Sequence, residues 1–255
     1  MHSSRTKLST LIALSAAAVL LGAALLFAAP GAAQTALPEG TILPVSLDRG
    51  LNAQKLHAGQ KIHARIMQSI PGTRVHRGSQ VLGHVVRVTA QPNGASTLEL
   101  RFDAVESAHR RIPVQVHLRA LASPLEVEFA QIPEEMSSRG LTPETWDTEQ
   151  IGGDQVYRGG GPVAENNKPV GKPVAYGVEA TPQTRPGGPC RGESIDNTRV
   201  QALWLFSANA CGIYGFPYLR IEDAGRSNGG SIVLTARKGK LSLGGGSALL
   251  LRVQN

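Results

Sequence analysis

Residues 96–105 read "STLELRFDAV". Leu98, Leu100, Phe102 and Ala104 alternate with Glu99, Arg101 and Asp103, so an extended chain gathers the apolar side chains on one side and the charged ones on the other. A helix would scatter the same residues around its axis. The stretch therefore reads as a half-buried strand, and its neighbours repeat the pattern. In "KIHARIMQSI" (61–70), Ile62, Ala64 and Ile66 oppose Lys61, His63 and Arg65. In "RRIPVQVHLRAL" (110–121), Ile112, Val114, Val116 and Leu118 oppose Arg111, Gln115, His117 and Arg119. Turn signals separate the runs at Pro71-Gly72, Arg77-Gly78 and Pro92-Asn93-Gly94. Pro113 lacks a backbone donor and marks an edge or the start of a strand. Several short strands at this spacing predict an all-β protein whose first module is a small β-barrel or sandwich.

Outward from this block, the N-terminus reads as an export signal. Arg5 and Lys7 precede an uncharged run from Leu11 to Ala29, and "APGAAQ" follows with small residues at Gly31 and Ala33. Residues 1–33 are expected to be a signal peptide cleaved after Ala33. The alternative is a retained anchor, since about 18–20 apolar residues suffice to span a bilayer. The expected location is periplasmic or extracellular, with membrane contact only if the segment is retained.

The charge is unevenly spread. Residues 34–126 hold 11 Lys/Arg against 6 Asp/Glu, whereas residues 127–255 hold 13 of each. Export and the scatter of the arginines argue against nucleic acid as a partner. A positive surface accumulates anionic polymers instead, so the expected partners are other envelope proteins or anionic envelope polymers.

"GTILPVSLDRGLNAQ", "GQKIHARIMQSI", "VHRGSQVLGHVVRV" and "STLELRFDAV" together resemble the TrbI-like β-barrel module of scaffold proteins in conjugative and type IV secretion machines. The resemblance covers about residues 40–122. It rests on an opening strand with a polar bend, the turn Gly78-Ser79 and a strand carrying Gly83. It implies a barrel fold for residues 34–125. Those scaffolds carry a membrane helix and a long proline-rich stretch before the barrel. Here the matching stretch follows almost directly on the signal, so membership of a secretion channel is not implied.

Residues 126–195 form a Gly/Pro-rich connecting region, with nine of the sixteen prolines between 121 and 195. Within it, "RGGGP" (158–162) reads as a loop, because it lacks the lysine and hydroxyl residue of a phosphate-binding loop. Residues 196–255 form a C-terminal β module. "VQALWLF" (200–206) is apolar on both sides and predicts a buried strand. "SIVLTARKGKLSL" predicts a hairpin turning at Lys238-Gly239-Lys240. "QIGGDQVY", "QALWLFS", "CGIYGF" and "GSALLLRV" are similar to stretches of uncharacterised bacterial exported proteins, which bring no activity with them.

The chemistry-bearing residues are few. Cys190 and Cys211 are the only cysteines. As a nucleophile, Cys211 would want an imidazole nearby, and no histidine follows His117. As a metal ligand it would need more partners than this half supplies. In an exported chain the pair reads as a disulfide, closing a loop worth about 3 kcal/mol in the chain-entropy model. Trp204, Phe206, Tyr214, Phe216 and Tyr218 form an aromatic group, expected either as core or as a sugar-stacking ligand platform. Six histidines lie in residues 34–122 without metal-ligand spacing, and His84 is the one candidate for a buried role. Asp154, Asp196, Glu222 and Asp223 are acids with no visible pairing across a cleft. No cofactor, metal site or catalytic residue is expected. The reading is a non-catalytic exported envelope protein with a scaffold or interaction role; the alternatives are an envelope polysaccharide-binding module and a hydrolase with an unidentified site.

Overall fold

The computed structural model describes residues 36–91, 94–131, 147–153, 155–157, 163–165, 168–184, 190, 193, 197–222, 229–237 and 240–254. The signal segment 1–33 lies outside them, as do "RGGGP", Asp154, Asp196 and Asp223. The protein is all-β. Its first half supplies β1 (Ile42–Leu47), β2 (Leu51–Asn52), β3 (Lys61–Ile66), β4 (Gln80–Thr89), β5 (Ser96–Ser107), β6 (Arg110–Pro113) and β7 (Gln115–Ala122). One short helix follows, α1 (Pro124–Phe129). It is opened by Ser123, whose hydroxyl accepts from the Glu126 N–H, and by Pro124, whose missing donor costs nothing in the first turn. The middle region supplies β8 (Asp147–Glu149), β9 (Gln155–Tyr157), β10 (Val163–Glu165), β11 (Lys168–Val174) and β12 (Gly177–Ala180). The last part supplies β13 (Gln201–Ala202), β14 (Gly212–Tyr214), β15 (Leu219–Ile221), β16 (Ser231–Ala236), β17 (Ser242–Leu243) and β18 (Ala248–Gln254).

The alternation read at 96–105 is the alternation found. Leu98, Leu100, Phe102 and Ala104 of β5 are buried, as are Ile62, Ala64 and Ile66 of β3. Each fully buried Leu or Ile contributes about 1.5–3 kcal/mol relative to exposure. Gly83 lies where a Cβ would collide with the Arg101 carbonyl oxygen and press on the Phe102 ring, so the strand needs glycine at this register irregularity.

The main sheet has ten strands, in the order β14-β7-β18-β1-β3-β4-β5-β16-β15, with β6 on β5. All its pairings are antiparallel except β14 with β7. Its two end strands, β14 and β15, are consecutive in sequence and joined by four residues, 215–218. Four residues reach at most about 14 Å. The sheet must therefore curl until its ends come near each other, helped by bulges in β4, β5 and β7 that add local twist. No ladder joins β14 to β15. The expected barrel is thus an open, curled sheet, because its last seam is bridged by a connection rather than by hydrogen bonds.

Segments 34–125 and 196–255, read from the sequence as separate modules, share this sheet: β18 lies between β7 and β1, and β16 lies against β5. Thr35–Asn255 form one compact unit. The concave side of the curl holds Leu43, Val45, Phe102, Leu118, Leu249 and their neighbours. The other side of β1, β7 and β18 packs Ile42, Ala120 and Leu250 against Leu203, Trp204, Phe206, Val163 and Val178. Those residues belong to a second, six-stranded antiparallel sheet, β13-β12-β11-β10-β9-β8, and to the turns that follow it. Two glutamines fasten the layers. Gln201 accepts from the Ile42 N–H at 3.1 Å, and Gln68 donates to the Val178 carbonyl at 3.0 Å while accepting from the Trp204 N–H at 2.7 Å.

Three expectations change. "VQALWLF" is a strand only at Gln201–Ala202; the chain then turns, with Trp204 in the left-handed region at φ 52°. Residues 201–210 are buried, and that continuous burial produced the strand-like pattern. Residues 238 and 239, the expected hairpin turn, lie outside the described residues, and the strands on either side do not pair with each other. β16 pairs with β5 and β15, while β17 leaves to pair with β2. His84 lies on the outward side of β4, half-exposed and 2.8 Å from Asp103, because Val81, Gly83 and Val85 take the core side.

Candidate functional site

Cys190 and Cys211 are joined in a disulfide, with Cα atoms 6.0 Å apart. The Tyr214 hydroxyl clasps the Cys211 backbone, accepting from its N–H at 3.0 Å and donating to its carbonyl at 3.2 Å. Cys190 also heads a turn in which the Glu193 N–H bonds the Cys190 carbonyl at 3.0 Å. That turn delivers the Glu193 side chain into the protein.

There it meets charges that the sequence placed on an outer face. His117, Arg119 and Arg252 lie on the convex side of β7 and β18, the side covered by the later half of the chain. His117 and Arg252 are cross-strand partners, and a bulge beside them leaves Arg119 opposite no residue of β18. The Arg119 and Glu193 side chains are 0% exposed and Arg252 is 1% exposed. Glu193 Oε2 accepts from Arg119 Nη1, and from Arg252 Nη1 at 2.9 Å. Arg119 also donates from Nε to the Ala210 carbonyl at 3.0 Å and from Nη2 to the Gln183 carbonyl. Arg252 donates to Asn197 Oδ1 at 2.6 Å, and the Asn197 amide donates to Thr184 at 2.9 Å. His117 Nε2 lies 3.6 Å from Glu193 Oε1, an electrostatic contact rather than a hydrogen bond.

Burial alone would raise the Glu193 pKa. The adjoining His117 and the charges of Arg119 and Arg252 outweigh it and hold the carboxyl below its ordinary range. Burial pushes the Arg252 guanidinium down; the Glu193 charge opposes this and the Arg119 charge adds to it. The arrangement is a clamp. One carboxylate ties two adjacent strands to segment 181–197, beside the disulfide that ties the same segment to Cys211. Its groups are enclosed, with Glu193 Oε2 shared between the two guanidinium groups. The sequence carried one faint signal of it: two arginines in otherwise apolar strands, with a glutamate near a cysteine.

The five aromatics are not gathered into a platform. Trp204 is 5% exposed and Phe206 fully buried in the inter-sheet core, where Tyr214 packs at the margin. Phe216 packs against the concave core instead, and Tyr218 is 74% exposed. The chain disperses them because β13 pairs with β12 and β14 with β7, so no cross-strand pairing brings the rings together. Glu222 follows β15 in an exposed turn. Among the described residues, no three His, Cys, Asp or Glu side chains gather as metal ligands would, and no helix is long and apolar enough to cross a membrane.

An open concavity lies elsewhere among the described residues. After Leu47 the chain leaves the main sheet, because β2 pairs with β17 rather than continuing beside β3. The gap between the departing turn and β3 is a cleft of about 490 Å³. Arg49, Lys61 and His63 are exposed along it, Gln60 and Gln80 are half-buried, and Leu51 and Ile62 line it from buried positions with their side chains in the core. Comparison of the chain with protein-family models, with curated proteins and with solved structures finds no match, and none of the three identifies a TrbI-like module in residues 40–122.

Proposed function

We propose that this protein is an exported, non-catalytic component of a bacterial cell envelope that works by contacting other envelope proteins or anionic polymers. The observation that carries the reading is the Cys190–Cys211 bridge set beside the Glu193 clamp. A disulfide of this kind persists in oxidising compartments, and the uncharged run Leu11–Ala29 behind two basic residues supplies an export route. The buried ionisable groups are occupied in fastening the chain to itself. The groups left facing solvent are those of a recognition surface: the basic rim of the cleft and the mixed-charge outer face of β3, β4 and β5.

The polysaccharide reading shifts its ground. Burial of Trp204 removes the stacking platform, and the basic cleft takes its place as the contact region.

Fractionation of a bacterium expressing the full chain tests the assignment, combined with thiol titration of the recovered protein and pull-down from intact cells. The reading expects a shortened or membrane-held form outside the cytoplasm, no titratable thiol and co-purification of an envelope component. Cytoplasmic retention with two reactive thiols would overturn it.

A further inference from the structure

We infer that the cleft between the Asp48–Gly50 turn and β3 is a binding site for an oxyanion-bearing sugar, with Arg49 and Lys61 taking the charge. This deepens the proposed function and rests on its reading that anionic envelope polymers are partners.

The charge balance of the cleft points to an anion. Its one acid, Asp48, is engaged by the Arg65 guanidinium at 2.9 Å. Arg49 and Lys61 are exposed and pair with no carboxylate among the described residues. Two uncompensated cations facing one concavity attract an anion, and the guanidinium fork matches a carboxylate or phosphate in two-point geometry. The rest of the lining selects a sugar. Gln60 and Gln80 each bring an amide that can both donate to and accept from hydroxyls.

The volume, about 490 Å³, lies within the range of small-molecule sites, about 300–1,000 Å³. An acidic peptide is the competing occupant, because β1 pairs with β3 only at Ala64–Ile66 and Lys61 and Ile62 lie beyond that register; the oligoglutamate arm of the test separates the two. Because the cations are exposed, binding depends on salt and weakens as the Debye length contracts toward about 8 Å at physiological ionic strength.

The test uses the full purified chain at low salt, with binding followed by calorimetry. Trigalacturonate supplies the carboxylate arm and glucose 6-phosphate the phosphate arm. A neutral trisaccharide and a short oligoglutamate serve as comparators. The expected result is binding of one or both anionic sugars, with the stronger arm naming the source, and at least tenfold weaker binding of both comparators. Arg49→Glu and Lys61→Glu should each weaken the anionic sugar at least tenfold. Arg220→Glu, at an exposed site on β15, changes net charge equally and should leave binding within twofold. Equal loss in all three variants, or oligoglutamate binding as tightly as the sugar, would overturn the assignment. If the protein co-sediments with envelope polymer while the Arg49 and Lys61 variants do so undiminished, the site fails and the broader function stands. If the unaltered protein neither co-sediments nor binds either sugar, both fail.

Discussion

Glu193 and Arg252 meet at 2.9 Å with both side chains shut off from solvent, although 59 residues separate them in the chain. The same carboxylate oxygen also receives Arg119. Two guanidinium charges thus share one carboxylate, and the enclosed group carries an excess of one positive charge even with His117 neutral.

Removing the carboxylate strands both arginines. Glu193→Gln is expected to destabilise the fold by about 3–5 kcal/mol, the usual cost of breaking a buried ion pair from one side. Arg252→Met removes the surplus charge while leaving Arg119 with Glu193, so its cost should be clearly smaller. Urea unfolding of the three proteins checks the order, and equal losses would contradict the charge argument.

The pH response follows from the same group. The Glu193 pKa is depressed in the folded state, so its contribution is fully present above the unfolded value, about 4.3 for a free glutamate. That contribution is lost as pH falls through the lower folded value. Melting temperature measured from pH 7 down to pH 3 should therefore drop in the acid range. Glu193→Gln should flatten that part of the drop; an unchanged slope in this variant would place the acid sensitivity elsewhere.

Reduction of the disulfide should cost roughly 3 kcal/mol in the chain-entropy model, for cysteines separated by 21 positions. Cys190→Ala should match it. Hydrogen exchange at Gln183 and Glu193 should accelerate more than exchange in β3 or β5, since the bridge and the clamp fasten the same segment. Uniform acceleration would mean that the bridge acts on the whole fold at once.

Gln68 satisfies two buried backbone groups, the Val178 carbonyl and the Trp204 N–H. Gln68→Leu keeps the bulk but leaves both unpaired, at about 1–3 kcal/mol for each orphaned group. The loss should appear in thermal unfolding together with a changed Trp204 emission, because that bond helps hold Trp204 in its left-handed turn.

The strands β3 and β5 could be read directly, since alternation states which side of a strand is apolar. It does not state what covers the other side. His117 and Arg119 looked solvent-facing because they oppose Val116 and Leu118, yet the later half of the chain lies over them. For the same reason Trp204 and Phe206 could be recognised as buried in kind but not in shape. A run apolar in every position fits a two-sided strand and an enclosed turn equally well. The cysteine pair was legible because compartment and count leave little else for it to do. The cleft was not, because it arises from β2 choosing a partner nearly two hundred residues away, a choice that no local pattern encodes.

The placement of β18 has a consequence for how the molecule comes into being. Residues 248–254 fill the slot between residues 42–47 and 115–122, so those earlier strands have no direct partner in one another. A growing chain lacks its central plank until synthesis has passed residue 254. The sheet therefore cannot assemble in its native order before residues 248–254 are available to pair. Such distant pairing also predicts slow maturation.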